Sequence, residues 1–129
     1  MFHSKVPVAS GSTLTDSVHA DVTRKTNDHT TKGEKLFQGP VNCGSVANFI
    51  NFPPGGRAPM HSTKSIDYDI SIEGEIELEL ENGEKRVLRS GDVFIQRQTK
   101  HAWHNQHPIQ WTKVFSICIA SANSVDEKN

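Results

Sequence analysis

Two histidines and one aspartate stand out by the company they keep. His61 and Asp67 lie in PPGGRAPMHSTKSIDYDISIEGE, Pro53 to Glu75, where a glycine- and proline-rich loop gives way to a regular alternation of apolar and polar residues. His101 lies in KHAWHN, Lys100 to Asn105. Side chains two apart on an extended strand point the same way, so His61, Thr63, Ser65 and Asp67 line one surface, and His101, Trp103 and Asn105 another. If both surfaces face the inside of one barrel, two imidazoles, a carboxylate, an indole and an amide converge. Two chemistries suit that set. A histidine in a mostly apolar cavity has its charged form disfavoured while a nearby carboxylate pulls the other way, and such a pair can trade a proton with a substrate near neutral pH. The same three residues also make up a two-histidine, one-carboxylate face for a divalent ion such as iron, manganese, zinc or nickel, with open positions for substrate or oxygen.

In the acid-base version, which needs no metal, His61 and His101 are the acid and base, and Asp67 orients one imidazole or shuttles the proton. Trp103 then stacks on a flat substrate, Gln96 and Asn105 hold a carbonyl or hydroxyl, and Thr63 joins the substrate-facing surface. Arg97 at the rim, or Arg57 in the glycine loop, accepts a carboxylate. His104 has the opposite strand phase to His101 and reads as outward, and His3, His19, His29 and His107 lie in polar segments.

The elements that must position these residues are strands. Ser45 to Phe52 is a strand ended by Pro53-Pro54-Gly55-Gly56, which breaks any regular structure. Ser65 to Glu73 alternates, with Ile66, Tyr68, Ile70 and Ile72 on one face and Asp67, Asp69, Ser71 and Glu73 on the other. The apolar face points away from the expected cavity, so a second sheet, the N-terminal arm or another subunit must cover it. Glu75 to Glu81 alternates again, and Asn82-Gly83 suits a two-residue type I′ hairpin that sets Leu78 opposite Val87 and Glu79 opposite Arg86. Glu84 to Arg89, Val93 to Gln96, His101 to Asn105 and Trp111 to Ala120 complete the strands. Many short strands at this spacing indicate an all-β sandwich or barrel.

The whole chain, 129 residues, fits a single domain. Residues 1–35 form a polar N-terminal arm, read as edge strands or a loose tail, residues 36–120 the barrel, and residues 121–129 a frayed tail. The net charge of −1, with eight of the 15 acidic residues between Asp67 and Glu84, leaves no basic face for nucleic acid. No apolar run approaches the roughly 20 residues that span a bilayer, and MFHSKVPVASGS lacks a signal-like apolar block, so a cytoplasmic protein without a membrane partner is expected. Cys43 and Cys118 are the only cysteines, without C-x-x-C spacing, and no N-x-S/T sequon appears, so neither a disulfide framework nor a glycosylated exterior is indicated.

From Ser45 to Ala120 the chain resembles the cupin superfamily of small jelly-roll barrels. Gly55, His61, Asp67 and Gly74 fall in register on the first cupin motif, G-x5-H-x-H-x3-E-x6-G, with Thr63 in place of its second histidine and Asp67 in place of its glutamate. Gly91, His101 and Asn105 echo the second motif, in which Arg97 and Thr99 replace a proline and a glycine and the turn is one residue shorter. The departures resemble those of small microbial cupins associated with secondary metabolism. That resemblance implies a homodimer packed sheet to sheet and a lyase or isomerase acting on a compact aromatic or polyketide-like metabolite by decarboxylation, dehydration or isomerisation. A metal-dependent oxygenase of the same fold, and a non-catalytic module that binds a small ligand, remain as alternatives.

Overall fold

A computed structural model describes residues 8–15, 35–36 and 44–121. The strands are β1 (Val8–Thr15), β2 (Lys35–Leu36), β3 (Ser45–Phe52), β4 (Arg57–His61), β5 (Ser65–Glu73), β6 (Ile76–Leu80), β7 (Lys85–Leu88), β8 (Val93–Arg97), β9 (His101–His104) and β10 (Thr112–Ala120). They build two antiparallel sheets, one of six strands in the order β2-β1-β3-β10-β5-β8 and one of four in the order β4-β9-β6-β7. The expected all-β jelly roll is therefore the fold, and among the described residues no helix is long and apolar enough to cross a membrane. Within the expected N-terminal arm, Val8–Thr15 lies antiparallel on β3 as part of the larger sheet. The expected tail beyond Ser121 lies outside the described residues.

The space between the sheets is divided. At one end Ile50, Phe52 and Val114 of the larger sheet meet Ile76, Leu78, Leu88 and Trp103 of the smaller one in a continuous apolar cluster. Each fully buried aliphatic side chain there contributes about 1.5–3 kcal/mol through water exclusion. At the other end the inward positions are polar: Asn48, Ser65, Asp67, Asp69, Gln96, His101 and Ser116 are all buried.

The β6–β7 hairpin departs from the expected register. Leu80 N donates to Glu84 O at 2.8 Å and Gly83 N to Leu80 O at 2.9 Å, so Glu81, Asn82 and Gly83 form a three-residue turn. Only Gly83 has positive φ, at 86°. A type I turn closed by a left-handed glycine supplies one more residue than the expected I′ turn. Leu78 consequently pairs with Arg86, Glu77 with Val87 and Ile76 with Leu88. The shift has a packing reason: it seats Leu88, 8% exposed, in the core and leaves Val87 48% exposed.

Candidate active site

β4 is an edge strand of the smaller sheet, and its path decides where His61 goes. Ala58 pairs with Trp103 and His61 with His101, so Pro59 and Met60 together oppose the single residue Ala102. This bulge resets the inward phase: Ala58 packs against the core, and His61 turns inward again three residues later. Proline has no amide hydrogen to give a ladder, and edge strands and bulges are where sheets accept it. The two imidazoles become cross-strand neighbours, with ring centroids 4.5 Å apart.

Both rings are held in the same tautomer. His61 Nδ1 donates to Pro59 O at 2.6 Å and His101 Nδ1 donates to Thr99 O at 2.8 Å. A carbonyl can only accept, so each neutral ring carries its proton on Nδ1 and leaves Nε2 with a free lone pair. His101 is 3% exposed. Burial lowers its pKa below the usual histidine value of 6.5, opposed by the Thr99 carbonyl, reinforced by His61, and opposed again by Asp67. It is a neutral base at neutral pH.

The turn between β8 and β9 orients two site residues at once. Gln98 takes a left-handed conformation, φ 58°, which a non-glycine side chain adopts at some cost. Thr99 follows it, and while its carbonyl fixes His101, its hydroxyl donates to Gln96 Oε1. Gln96 is 1% exposed, and with Oε1 occupied its Nε2 has no partner. Thr99 thus positions both a base and a donor.

Asp67 is anchored by hydroxyls just before it in the chain. Thr63 Oγ1 donates to Oδ2 at 3.0 Å and Ser65 Oγ to Oδ1 at 2.5 Å, with the two hydroxyls 2.8 Å apart. The threonine in the second-histidine position therefore serves the carboxylate. Here the expected metal face is corrected. Both Asp67 oxygens are engaged by hydroxyls, and among the described residues no group of three His, Cys, Asp or Glu side chains is arranged to hold an ion. His61, Asp67 and His101 are not arranged as a two-histidine, one-carboxylate set.

Farther along the same inner face lie residues not anticipated as site residues. Asp69 pairs across β10 with Ser116, and Ser116 pairs with Asn48 of β3, so one polar rung crosses the sheet. The next rung holds Val46, Cys118, Asp67 and Gln96. Burial raises the Asp69 pKa from 3.8 to about 7, against the Ser116 hydrogen bond and with help from Asp67. Cys118 is a free, buried thiol, pushed far above the usual thiol range by burial and by the Asp67 charge, and so is no nucleophile at neutral pH. The period-two pattern from Asp67 leads to Asp69 and Ser71. Asn48 was legible as a polar residue in phase with Val46, Ile50 and Phe52.

Protonated Asp69 carries a pH signature. Between pH 3.8 and about 7 the native state keeps a proton that the unfolded chain has lost, so stability falls as pH rises through this window and levels off above it. His101 acts in the opposite sense, its lowered pKa costing stability as pH drops below 6.5. Asp69→Asn should remove the falling limb. Urea denaturation should find the variant about 2–4 kcal/mol more stable than wild type at pH 8 and nearly equal to it at pH 4. Parallel stability curves for the two proteins would contradict the assignment.

Four residues expected to face substrate have surroundings that only the fold reveals. Asn105 is completely buried, and its Nδ2 donates to the carbonyls of Phe52, Pro53 and Gln110 at 3.1, 3.1 and 2.8 Å. It bolts loops together and has no donor to spare. Arg97 is exposed and shares the outer face of β8 with Val93 and Ile95, because buried Gln96 takes the inward phase. Arg57 is exposed at the start of β4, opposite in phase to inward Ala58. Trp103 is 7% exposed and packs on Phe52 and edge-on to Phe94, with ring centroids 6.3 and 6.2 Å away. It belongs to the apolar cluster, yet also meets His101 edge-on at 5.9 Å and so forms the partition between the two halves.

A small antiparallel double sheet, apolar at one end and carrying paired imidazoles over a polar floor at the other, defines a β-barrel of the jelly-roll class. The chain belongs to the cupin family, whose profile, described as a cupin domain, matches residues 48–117, more than half of the chain. Over 86 residues it is 43% identical to phomopsin biosynthesis cluster protein C′ of Diaporthe leptostromiformis, covering 66% of this chain and 46% of that protein. Over 65 residues it is 49% identical to the cupin-domain-containing oxidoreductase virC of Hypocrea virens, covering 50% and 34%. The chain thus spans less than half the length of these relatives. Among solved structures, a cupin 2 conserved barrel domain protein from Salinispora arenicola matches with a TM-score of 0.55 at 22% identity, over 70% of this chain and 76% of that one. KdgF from Halomonas sp. matches with a TM-score of 0.51 at 24% identity, over 69% and 80%. These two likenesses show the fold.

Proposed function

We propose that the chain is a cupin enzyme of secondary metabolism that works by histidine acid-base chemistry as a lyase or isomerase on a compact aromatic or polyketide-like compound. The observation that carries this reading is the pair of imidazoles held 4.5 Å apart with both Nδ1 protons committed to backbone carbonyls. His101 Nε2 removes a proton from carbon beside a substrate carbonyl, and the C–H electron pair moves into that carbonyl to give an enolate. Gln96 Nε2 donates to the enolate oxygen, a placed donor in a site of low water content. The proton now on His101 Nε2 then passes, directly or by way of His61 Nε2, either to another carbon, completing an isomerisation, or to a departing hydroxyl that leaves as water, completing a dehydration. Asp67 tempers the charge that forms on the imidazoles. Similarity to biosynthesis-cluster proteins supports the metabolic setting.

The name of the Hypocrea virens relative favours a second reading, an oxidoreductase. Metabolite profiles separate the two. In the organism that encodes it, deletion of the gene should accumulate a compound that the purified protein converts to an isomer or a dehydrated product, with no change in oxidation level. A product altered by two electrons would establish the second reading instead, and tight binding of the compound without conversion would establish a non-catalytic module. We also propose that the outer face of the larger sheet, where Phe49, Tyr68, Ile72, Val93 and Ile95 are 37–58% exposed, packs against a second copy.

A further inference from the structure

The floor of the polar chamber carries donors with nothing to donate to. Asn48 Nδ2 and Gln96 Nε2 are buried without a hydrogen-bond partner, in residues 2% and 1% exposed. An unpaired buried amide costs about 1–3 kcal/mol, and a second one on the same wall doubles the cost. A filled barrel would place apolar side chains at these inward positions, as this one does at Ile50, Val114 and Phe52. The unpaired ends of Asn48 and Gln96 are a cost that nothing among the described residues offsets.

We propose that Asn48 and Gln96 form a two-point acceptor-reading subsite for the substrate of the acid-base site, which makes Asn48 a specificity-determining residue. This rests on the proposed acid-base reading and narrows its substrate class. Asn48 sits on β3 and Gln96 on β8, with β10 and β5 between them. Three strand spacings amount to roughly 14 Å of backbone separation, more than one carbonyl can bridge even after both side chains reach inward. The ligand therefore presents acceptor oxygens at two edges of a flat body. Between the two amides stand Asp69 and, one rung on, Asp67. No described lysine or arginine is buried, and Arg57 and Arg97 are both exposed. A floor with two carboxyl groups and no buried cation suits carbonyl and hydroxyl oxygens and rejects carboxylate or phosphate. The substrate is a neutral, oxygenated ring compound. Decarboxylation, which requires a bound carboxylate, gives way to dehydration or isomerisation.

The test uses chromone, its carboxylate derivative and naphthalene as probes, with the side-chain amide resonances of the full chain as readout. Chromone should shift the Asn48 and Gln96 amide signals and bind more tightly than chromone carboxylate. Asn48→Leu should weaken chromone about tenfold, the loss of one hydrogen bond to a buried acceptor, while leaving naphthalene unchanged. Should Asn48→Leu not fold, Asn48→Ala removes the donor without adding bulk and should show the same loss. Binding is read on the wild-type chain with probes that need not turn over, so a failure of the catalytic reading leaves this result untouched. No shift at either amide, equal affinity of the Asn48 variants, or preference for the carboxylate would each overturn the subsite.

Discussion

Asn105→Ala should lower the unfolding free energy by about 3–5 kcal/mol, among the largest single effects available in this chain. The carboxamide has donors facing Phe52 O, Pro53 O and Gln110 O, and its Oδ1 accepts from His107 N at 3.0 Å. Its backbone N also donates to Gly56 O at 2.9 Å. Truncation would leave carbonyls on two loops and one N–H unpaired around a new cavity. Each unpaired buried group costs about 1–3 kcal/mol, partly recovered where water can enter. Asn105→Asp should do no better, because an aspartate lacks the amide donors and adds a charge beside carbonyl oxygens. Urea denaturation at fixed pH measures both variants. A loss below about 1 kcal/mol would return Asn105 to the candidate substrate contacts and remove its structural role.

Replacement of His101 by Gln should reduce kcat by about a thousandfold, within the range ascribed to a positioned general base, with a much smaller change in KM. Gln keeps a polar side chain at a 3% exposed position but has no lone pair basic enough to accept a proton. Stability should change little, since the imidazole already sits in a site that disfavours its charged form. The acid limb of the wild-type rate profile should lie below pH 6.5, because burial lowers the pKa of the group that must be deprotonated. His61→Gln should also lower kcat. Turnover undiminished in both variants would remove the acid-base assignment, whatever the ligand subsite does.

These expectations depend on details that the amino-acid sequence reveals unevenly. The strand Ser65–Glu73 was legible to the residue, because strict alternation and a following glycine leave few other conformations. The hairpin was legible as a hairpin but not in register. Asn82-Gly83 fits both a two- and a three-residue turn, and the core chose between them by burying Leu88. The convergence of His61 with His101 was legible from motif spacing. What made it a cross-strand pair was the bulge at Pro59 and Met60, whose extra residue depends on how an edge strand meets its neighbour.

Asn105 and Arg97 show a common limit of reading strand phase. Spacing gives the side of a strand on which a residue lies, and it does not say what waits there. Asn105 is inward as expected, but loop carbonyls reached it first; Arg97 is one position from Gln96 and so faces the other way.

By itself the sequence determined the all-β class, most of the strands and the shared phase of Asp67 with Asp69 and of His101 with Trp103, since these follow from local periodicity and turn chemistry. Only the tertiary structure decided that hydroxyls take both Asp67 oxygens, that the carbonyls of Pro59 and Thr99 fix the tautomers, and that Asn48 and Gln96 remain unpaired on one floor. Hydrogen bonding is directional and short in range, so its partners are settled by the distances between side chains and neighbouring loops once the sheets have closed.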